Sequence, residues 1–180
     1  KKNSIRERNG VSIKLSALHP RYERNQFDIL KINLLPKLVE LGCLAKKYGI
    51  QLCIDAEENY RLILSLMILD ELSKSPDLAE WNGLGLAVQA YQKRSFYLMD
   101  WLNALAQRDK RILNVRLVKG AYWDTEIKIA QELGLNHYPV FTRKALTDIS
   151  WMACALKLFS MQENIFPQFA THNAHSIAFI

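Results

Sequence analysis

Short apolar strands alternate with helical stretches along this chain, at intervals of roughly 25 to 40 residues, and polar or charged residues close nearly every strand. That rhythm calls for right-handed βαβ crossovers and a parallel sheet. An open doubly wound sheet concentrates its site at one switch point. Polar strand ends all along the chain predict a rim instead, so the expected fold is an α/β (β/α)8 barrel of the TIM type. A complete barrel takes about 250 residues. The chain has 180 residues, and its six predicted strands make an incomplete portion of about six β/α units.

The first strand is expected over residues 11–18 (VSIKLSAL), with Ser12, Lys14 and Ser16 on one face and Val11, Ile13 and Leu15 on the other. His19 and Pro20 end it. Phe27, Leu30, Leu34, Leu38, Leu41 and Leu44 then recur at helical spacing across 22–48, where Pro36 interrupts the helix and Gly49 closes it. The second strand, 50–54, ends in Asp55, Ala56, Glu57 and Glu58 and leads into a core helix over 60–72. Residues 84–91 form the third strand, running into QAYQKR, and 96–106 the following helix. The fourth strand, 112–118, carries Arg116 and is followed by Lys119, a turn at Gly120 and a helix over 125–133. A short fifth strand over 139–142, a helix over 147–159 and a sixth strand over 165–170 ending in THNAH complete the order.

Composition narrows the class. Hydrophobic residues make up 49% of the chain, enough to bury one core in one domain. Three cysteines, Cys43, Cys53 and Cys154, lie in apolar surroundings without metal-ligand spacing, which points to a reduced cytosolic compartment. The charged start, KKNSIRERNG, has no apolar run of a signal peptide, and the longest apolar segment, 62–69, is too short to span a membrane. A net charge of +6 is scattered and comes with no nucleic-acid-binding motif, so it reads as a solvated basic surface. The missing initiator Met and the apolar ending SIAFI lead us to expect a piece of a longer protein.

Candidate chemistry gathers where strands end. Lys14 shares its strand face with two small serines, which favours an inward cation with Asp55 as its partner, since buried charges are paired. Glu57 and Glu58 read as solvent-facing or helix N-terminal charges. Arg116 inside an apolar strand calls for a ligand or cofactor, because a buried guanidinium without a partner is costly. Thr142, Arg143 and Lys144 would hold a phosphate by charge and hydroxyl together, or form a basic loop in solvent. Tyr122 and Trp123 are core aromatics or walls for a flat ring. His172 and His175 raise the alternative of a metal-dependent barrel hydrolase or lyase built with Asp55 and Glu57, against a plain polar pair at a strand end. A basic nucleic-acid-binding fragment is the non-enzyme alternative.

Six motifs, VSIKLSALHPRY, IDAEE, VQAYQKR, RLVKGAYWDTEIK, YPVFTRK and PQFATHNAH, stand in an order and spacing that resemble the proline dehydrogenase domain of the bifunctional proline utilization A flavoenzymes. The resemblance runs from about Val11 to the last residue. It implies a distorted (βα)8 barrel that binds FAD noncovalently and oxidises L-proline to 1-pyrroline-5-carboxylate by hydride transfer to flavin N5, with electrons passed on to a membrane quinone. A cytoplasmic location is implied too, with peripheral membrane association of the parent chain when reduced. Oligomer formation is left open, and this segment carries no nucleic-acid role.

Residue by residue, the resemblance implies that Lys14 helps to hold the proline carboxylate and that Asp55 orders the site. Leu117 and Tyr122 would pack on the proline ring. Arg116 corresponds to an arginine bonded to the flavin near N5, and Gln89 to a contact with its polar edge. Lys14, Asp55, Arg116 and Tyr122 are thus the expected catalytic set. Asp55 and Ala56 would also border the cofactor, and Val118, Lys119, Gly120, Ala121 and Trp123 would continue around it. Thr142, Arg143 and Lys144, with Thr171, His172 and Asn173, would serve its pyrophosphate and adenosine half. His172 is then a cofactor contact and no metal is expected. The resemblance places an arginine pair that clamps the substrate carboxylate on a last helix beyond Ile180, and a first barrel strand before the chain. The piece alone is therefore expected to hold FAD poorly.

Overall fold

Apolar residues at alternate positions make five strands here, and each pairs in parallel with the next one in sequence. The computed structural model describes residue 5 and residues 8–180; residues 1–4, 6 and 7 of the charged opening stretch lie outside the described residues. The strands β1 (Gly10–Ile13), β2 (Gln51–Ile54), β3 (Leu84–Gln89), β4 (Leu113–Val118) and β5 (Ile165–Phe169) lie in that spatial order, with no reversal. The connections carry helices α1 (Leu15–Leu18), α2 (Phe27–Asn33), α3 (Leu35–Tyr48), α4 (Leu62–Ser73), α5 (Ser95–Arg108), α6 (Trp123–Glu132) and α7 (Lys144–Phe159), and α8 (Ala174–Phe179) comes after β5. Gly49 closes α3 with φ of 63°, the left-handed cap conformation that its missing Cβ permits.

Register puts the two sheet faces to different uses. Leu52 and Ile54, Leu84, Leu86 and Val88, Leu113, Val115 and Leu117, and Ile165 all point to the helix side and are buried in one core with residues of α2, α3, α4, α5 and α7. The opposite face carries Ser12, Gln51, Cys53, Gly85, Ala87, Gln89, Asn114, Arg116 and Gln168, mostly small or polar, with Val118 and Phe166 as its large apolar members. This face is concave. Gln168 Nε2 of β5 donates to Gln51 Oε1 of β2 at 2.6 Å, although β3 and β4 lie between them. Three strand spacings span about 14 Å in a flat sheet, beyond the reach of that contact, so the sheet curls around its polar face.

Two expectations change. The first strand stops at Ile13, and Leu15–Leu18 turns helical because buried Leu15 enters the core while the Ser16 amide finds the Glu57 carboxylate at 3.1 Å. Ser16 therefore leaves the face of Ser12. The expected strand over 139–142 is a strap: Lys93 N–H donates to the Pro139 carbonyl at 3.1 Å, Phe141 N–H to the Tyr91 carbonyl at 2.8 Å, and Val140 makes a single antiparallel bridge with Gln92. The described sheet thus has five strands where six were expected. Pro167 is tolerated in β5 because Ala170 N–H points to β4, bonding Leu117 at 3.1 Å. By alternation, Pro167 turns its missing donor to the edge that is unpaired among the described residues.

Candidate active site

At the carboxyl ends of β2, β3 and β4, Asp55, Ala87 and Arg116 stand in one row on the concave face. The Ala87 side chain is too short to separate its neighbours, so the Arg116 guanidinium passes over it, pairs with the Asp55 carboxylate and donates a second bond to Ser12 Oγ at 2.6 Å. Arg116 thereby takes the partner expected for Lys14. Lys14, the residue after β1, instead donates from Nζ to Tyr122 Oη at 3.1 Å and stands 5.7 Å from that ring's centre. The bond to Tyr122 raises the Lys14 ammonium above its usual 10.5, so the side chain is a cation at any physiological pH.

Tyr122 is carried by a turn that needs glycine. Gly120 has φ of 145°, and a Cβ there would lie 2.4 Å from the ring of Tyr91, which packs flat against the turn. The next amide, Ala121 N–H, donates to Gln89 Oε1 at 3.0 Å, while Gln89 Nε2 donates to the Glu57 carbonyl at 2.8 Å. Buried Gln89 therefore joins the ends of three strands, keeping one amide hydrogen and one lone pair for a ligand. Glu57 is not solvent-facing as expected. It is 6% exposed, with one carboxylate oxygen on the Ser16 amide and the other on Arg61 at 2.7 Å.

Two adjoining clefts open at this rim. The first, about 550 Å³, is lined by Lys14, Asp55, Ala56, Ala87, Gln89, Arg116, Val118, Tyr122, Ala121, Ala170, Thr171, His172 and Asn173. The second, about 410 Å³, has aromatic walls of Tyr91, Trp123 and Phe141, with Thr142 and Thr147. Lys119, Gly120 and Lys144 line both. Most of the expected site residues are thus brought together. Leu117 is not. It shares β4 with Arg116 but faces the helices, fully buried, because successive strand residues point to opposite sides. Arg143 lines neither cleft and stands exposed ahead of α7. Trp123 is a wall, not core: it is 42% exposed and its Nε1 donates to the Phe141 carbonyl at 3.0 Å.

Sequence reasoning passed over Asp148. Its carboxylate accepts from Lys119 at 2.6 Å and from Lys144 at 2.8 Å, gathering both cations where the clefts meet, and these bonds hold it below the usual carboxylate range. An acid four residues into a helix that begins with lysine was the available signal. Tyr91 and Phe141 carried no local signal. Among the described residues no three His, Cys, Asp or Glu side chains come close enough to share a metal ion. His172 and His175 are exposed, and of the two acids proposed to join them Asp55 pairs with Arg116 and Glu57 has both oxygens engaged elsewhere. No described helix is long and apolar enough to cross a membrane.

Comparison with known proteins covers the whole chain. The proline dehydrogenase family profile matches residues 1–180. The bifunctional protein PutA of Klebsiella aerogenes is 56% identical over 176 residues, 98% of this chain and 13% of that protein. PutA of Rhizobium meliloti is 52% identical over the same 98%, which is 14% of its length. A crystal structure of a Bradyrhizobium japonicum proline utilization A mutant superposes with a TM-score of 0.96 at 51% identity, covering 99% of this chain and 18% of that one. Proline utilization A from Bdellovibrio bacteriovorus, inactivated by N-propargylglycine, gives 0.89 at 33% identity over 94% of this chain and 18% of its own. The chain spans about an eighth of the length of the PutA relatives and shares its fold with the corresponding part of the solved ones.

Proposed function

The chain belongs to the proline dehydrogenase family, and from that membership we propose that it forms the site-bearing portion of a flavin-dependent L-proline dehydrogenase barrel. Sequential parallel order, one-sided helices and the concave polar face support the barrel. The three strands that an eight-stranded barrel needs beyond these five, with its final helix, would come from outside these residues.

The single observation that carries the activity is the meeting of Lys14, Tyr122, Arg116 and Asp55 at one cleft from three separate strand ends. Lys14 uses one of its three donors on Tyr122 and has two for a carboxylate. The Tyr122 ring and the methyls of Ala56 and Ala87 leave room for a small saturated ring. Positioning of this kind lowers the entropy cost of reaction.

The residues present fit FAD. A long ligand with a flat ring at one end and a diphosphate within it matches two clefts joined at two lysines, one cleft with guanidinium and amide donors and the other with aromatic walls. Gly120 lets the Tyr91 ring, a wall of the second cleft, pack against the junction. Arg116 and Gln89 would hold the ring's polar edge. Val118 and Ala121 would flank the chain beyond the ring, Lys119 and Lys144, with Thr171, His172 and Asn173 in the first cleft, would hold the diphosphate, and Thr142 and Trp123 in the second cleft would border the adenosine. Bound FAD would supply the two-electron acceptor for oxidation at the proline δ-carbon. Arg116, held by Asp55 and Ser12, keeps a fixed positive charge where negative charge accumulates. Transfer of electrons to a quinone, and any membrane association it requires, belongs to the whole protein.

The test is a visible spectrum of the full-length protein with a proline-dependent dye-reduction assay. A resolved flavin band that bleaches with L-proline, and is lost in Arg116→Ala, is expected. A colourless full-length protein after FAD addition overturns the reading.

A further inference from the structure

Lys14 stands on weakly supported backbone. Among the described residues β1 pairs on one side only, and α1, which begins just after Lys14, is four residues long with no cap from its own side chains. A helix that short does not hold itself, and its first amides need acceptors from elsewhere. The Ser16 amide finds one 41 residues away, in the Glu57 carboxylate at 3.1 Å. Glu57 itself is buried, 6% exposed, with its second oxygen on Arg61 at 2.7 Å. Its backbone acts in the other direction: the Glu57 carbonyl holds Gln89, and Gln89 holds the Ala121 amide next to Tyr122. One residue therefore fixes both sides of the Lys14–Tyr122 contact, through its side chain on one side and its main chain on the other.

We infer that Glu57 is a positioning residue that sets where the Lys14 ammonium stands, and so governs affinity for the substrate carboxylate. The inference about affinity rests on the proline dehydrogenase reading; the placement of Lys14 does not. Glu57 touches neither substrate nor cofactor in this role.

The experiment uses the full-length holoenzyme and three variants. Glu57→Ala removes the acceptor for Ser16. Glu57→Gln keeps an oxygen for that amide while losing the charge toward Arg61. Ser16→Pro deletes the donor and leaves Glu57 with Arg61, at a first-turn position where proline is tolerated, and it decides the matter should Glu57→Ala not fold. KM and kcat for L-proline are read together with the rate at which Lys14 is modified by an amine-reactive reagent, measured by mass spectrometry. Glu57→Ala and Ser16→Pro are expected to raise KM about tenfold with kcat within about threefold, and to change the Lys14 modification rate at least about threefold. Glu57→Gln should restore both to near wild type. Unchanged Lys14 reactivity in Ser16→Pro, or a Glu57→Gln protein as impaired as Glu57→Ala, would overturn the inference. If the wild type does not oxidise proline, the functional reading fails alone, and the Lys14 rates still decide what Glu57 does.

Discussion

Arg116 and Asp55 join across an intervening strand because the residue between them is Ala87. The register pairs Ala87 with Arg116 and brings Asp55 alongside, on the same concave face. Ala87 is 3% exposed and also lines the first cleft. A larger side chain there would stand in the path of the guanidinium. Ala87→Leu is expected to break the pair, cost about 1–3 kcal/mol from overpacking and abolish retention of flavin, whereas Ala87→Ser should retain it. Comparing the visible spectra of the two variants checks this, and a Leu variant that keeps a normal flavin band would show that the pair is not needed.

The Lys14–Tyr122 bond sets a pH limit. Tyr122, chiefly by its hydrogen bond, holds the Lys14 ammonium above the usual 10.5, so protonation persists to higher pH than for a free lysine. Tyr122→Phe removes that bond and lowers the Lys14 value. Loss of a bond worth about 0.5–1.5 kcal/mol should raise KM for L-proline roughly 2- to 12-fold at neutral pH, and the alkaline rise in KM should begin at lower pH than in wild type. Steady-state kinetics from neutral to strongly alkaline pH would show both effects.

Gly120 faces two separate constraints, its φ of 145° and the Tyr91 ring 2.4 Å from where a Cβ would go. Gly120→Ala should lose about 1–3 kcal/mol from backbone strain, with a further loss from displacing the ring. Truncating the ring as well separates the two. Tyr91→Leu combined with Gly120→Ala should be less destabilised than the sum of the single variants, as neighbouring residues are. Additive losses in urea unfolding would place the whole effect in the backbone.

Order and polarity of the strands were legible in the sequence, because apolar alternation followed by polar residues has few other meanings in an α/β chain. Which side chains meet was not. Lys14 and Asp55 are adjacent strand ends and look like a pair. Only the register reveals that Ala87 opens Asp55 to Arg116 from the other side. Leu117 sits inside a motif whose neighbours line the cleft, yet alternation sends it to the core. Glu57 and Glu58 read as solvent-facing or helix N-terminal charges until Ser16 and Arg61 are seen around Glu57. PVFT reads as a strand because three apolar residues in a row cannot declare whether a sheet or a loop will take up their backbone groups.

Glu126 makes the clearest case of a charge kept at a cost. It lies in the first turn of α6 near Tyr122, is 3% exposed, and its carboxylate accepts the Asn59 amide, while Arg94 binds the Asn59 side-chain oxygen at 2.7 Å. Burial, reinforced by Glu58, raises its carboxyl above the usual 4.5, against the opposing pull of the Asn59 bond and Arg94. A carboxyl raised in the folded state binds protons more tightly there than when unfolded. It therefore favours folding below about 4.5 and loses that contribution as pH rises through the folded value. At pH 7 the ionised group opposes folding. Glu126→Gln keeps an oxygen for the Asn59 amide and removes the charge, so at pH 7 it should match or exceed wild-type stability by up to about 1 kcal/mol, with no advantage at pH 4. Glu126→Leu strands the amide and should cost about 1–3 kcal/mol at both. Urea unfolding at the two pH values separates these outcomes, and a Gln variant weaker at pH 7 than at pH 4 would mean that the attraction of Arg94 outweighs the burial of the charge.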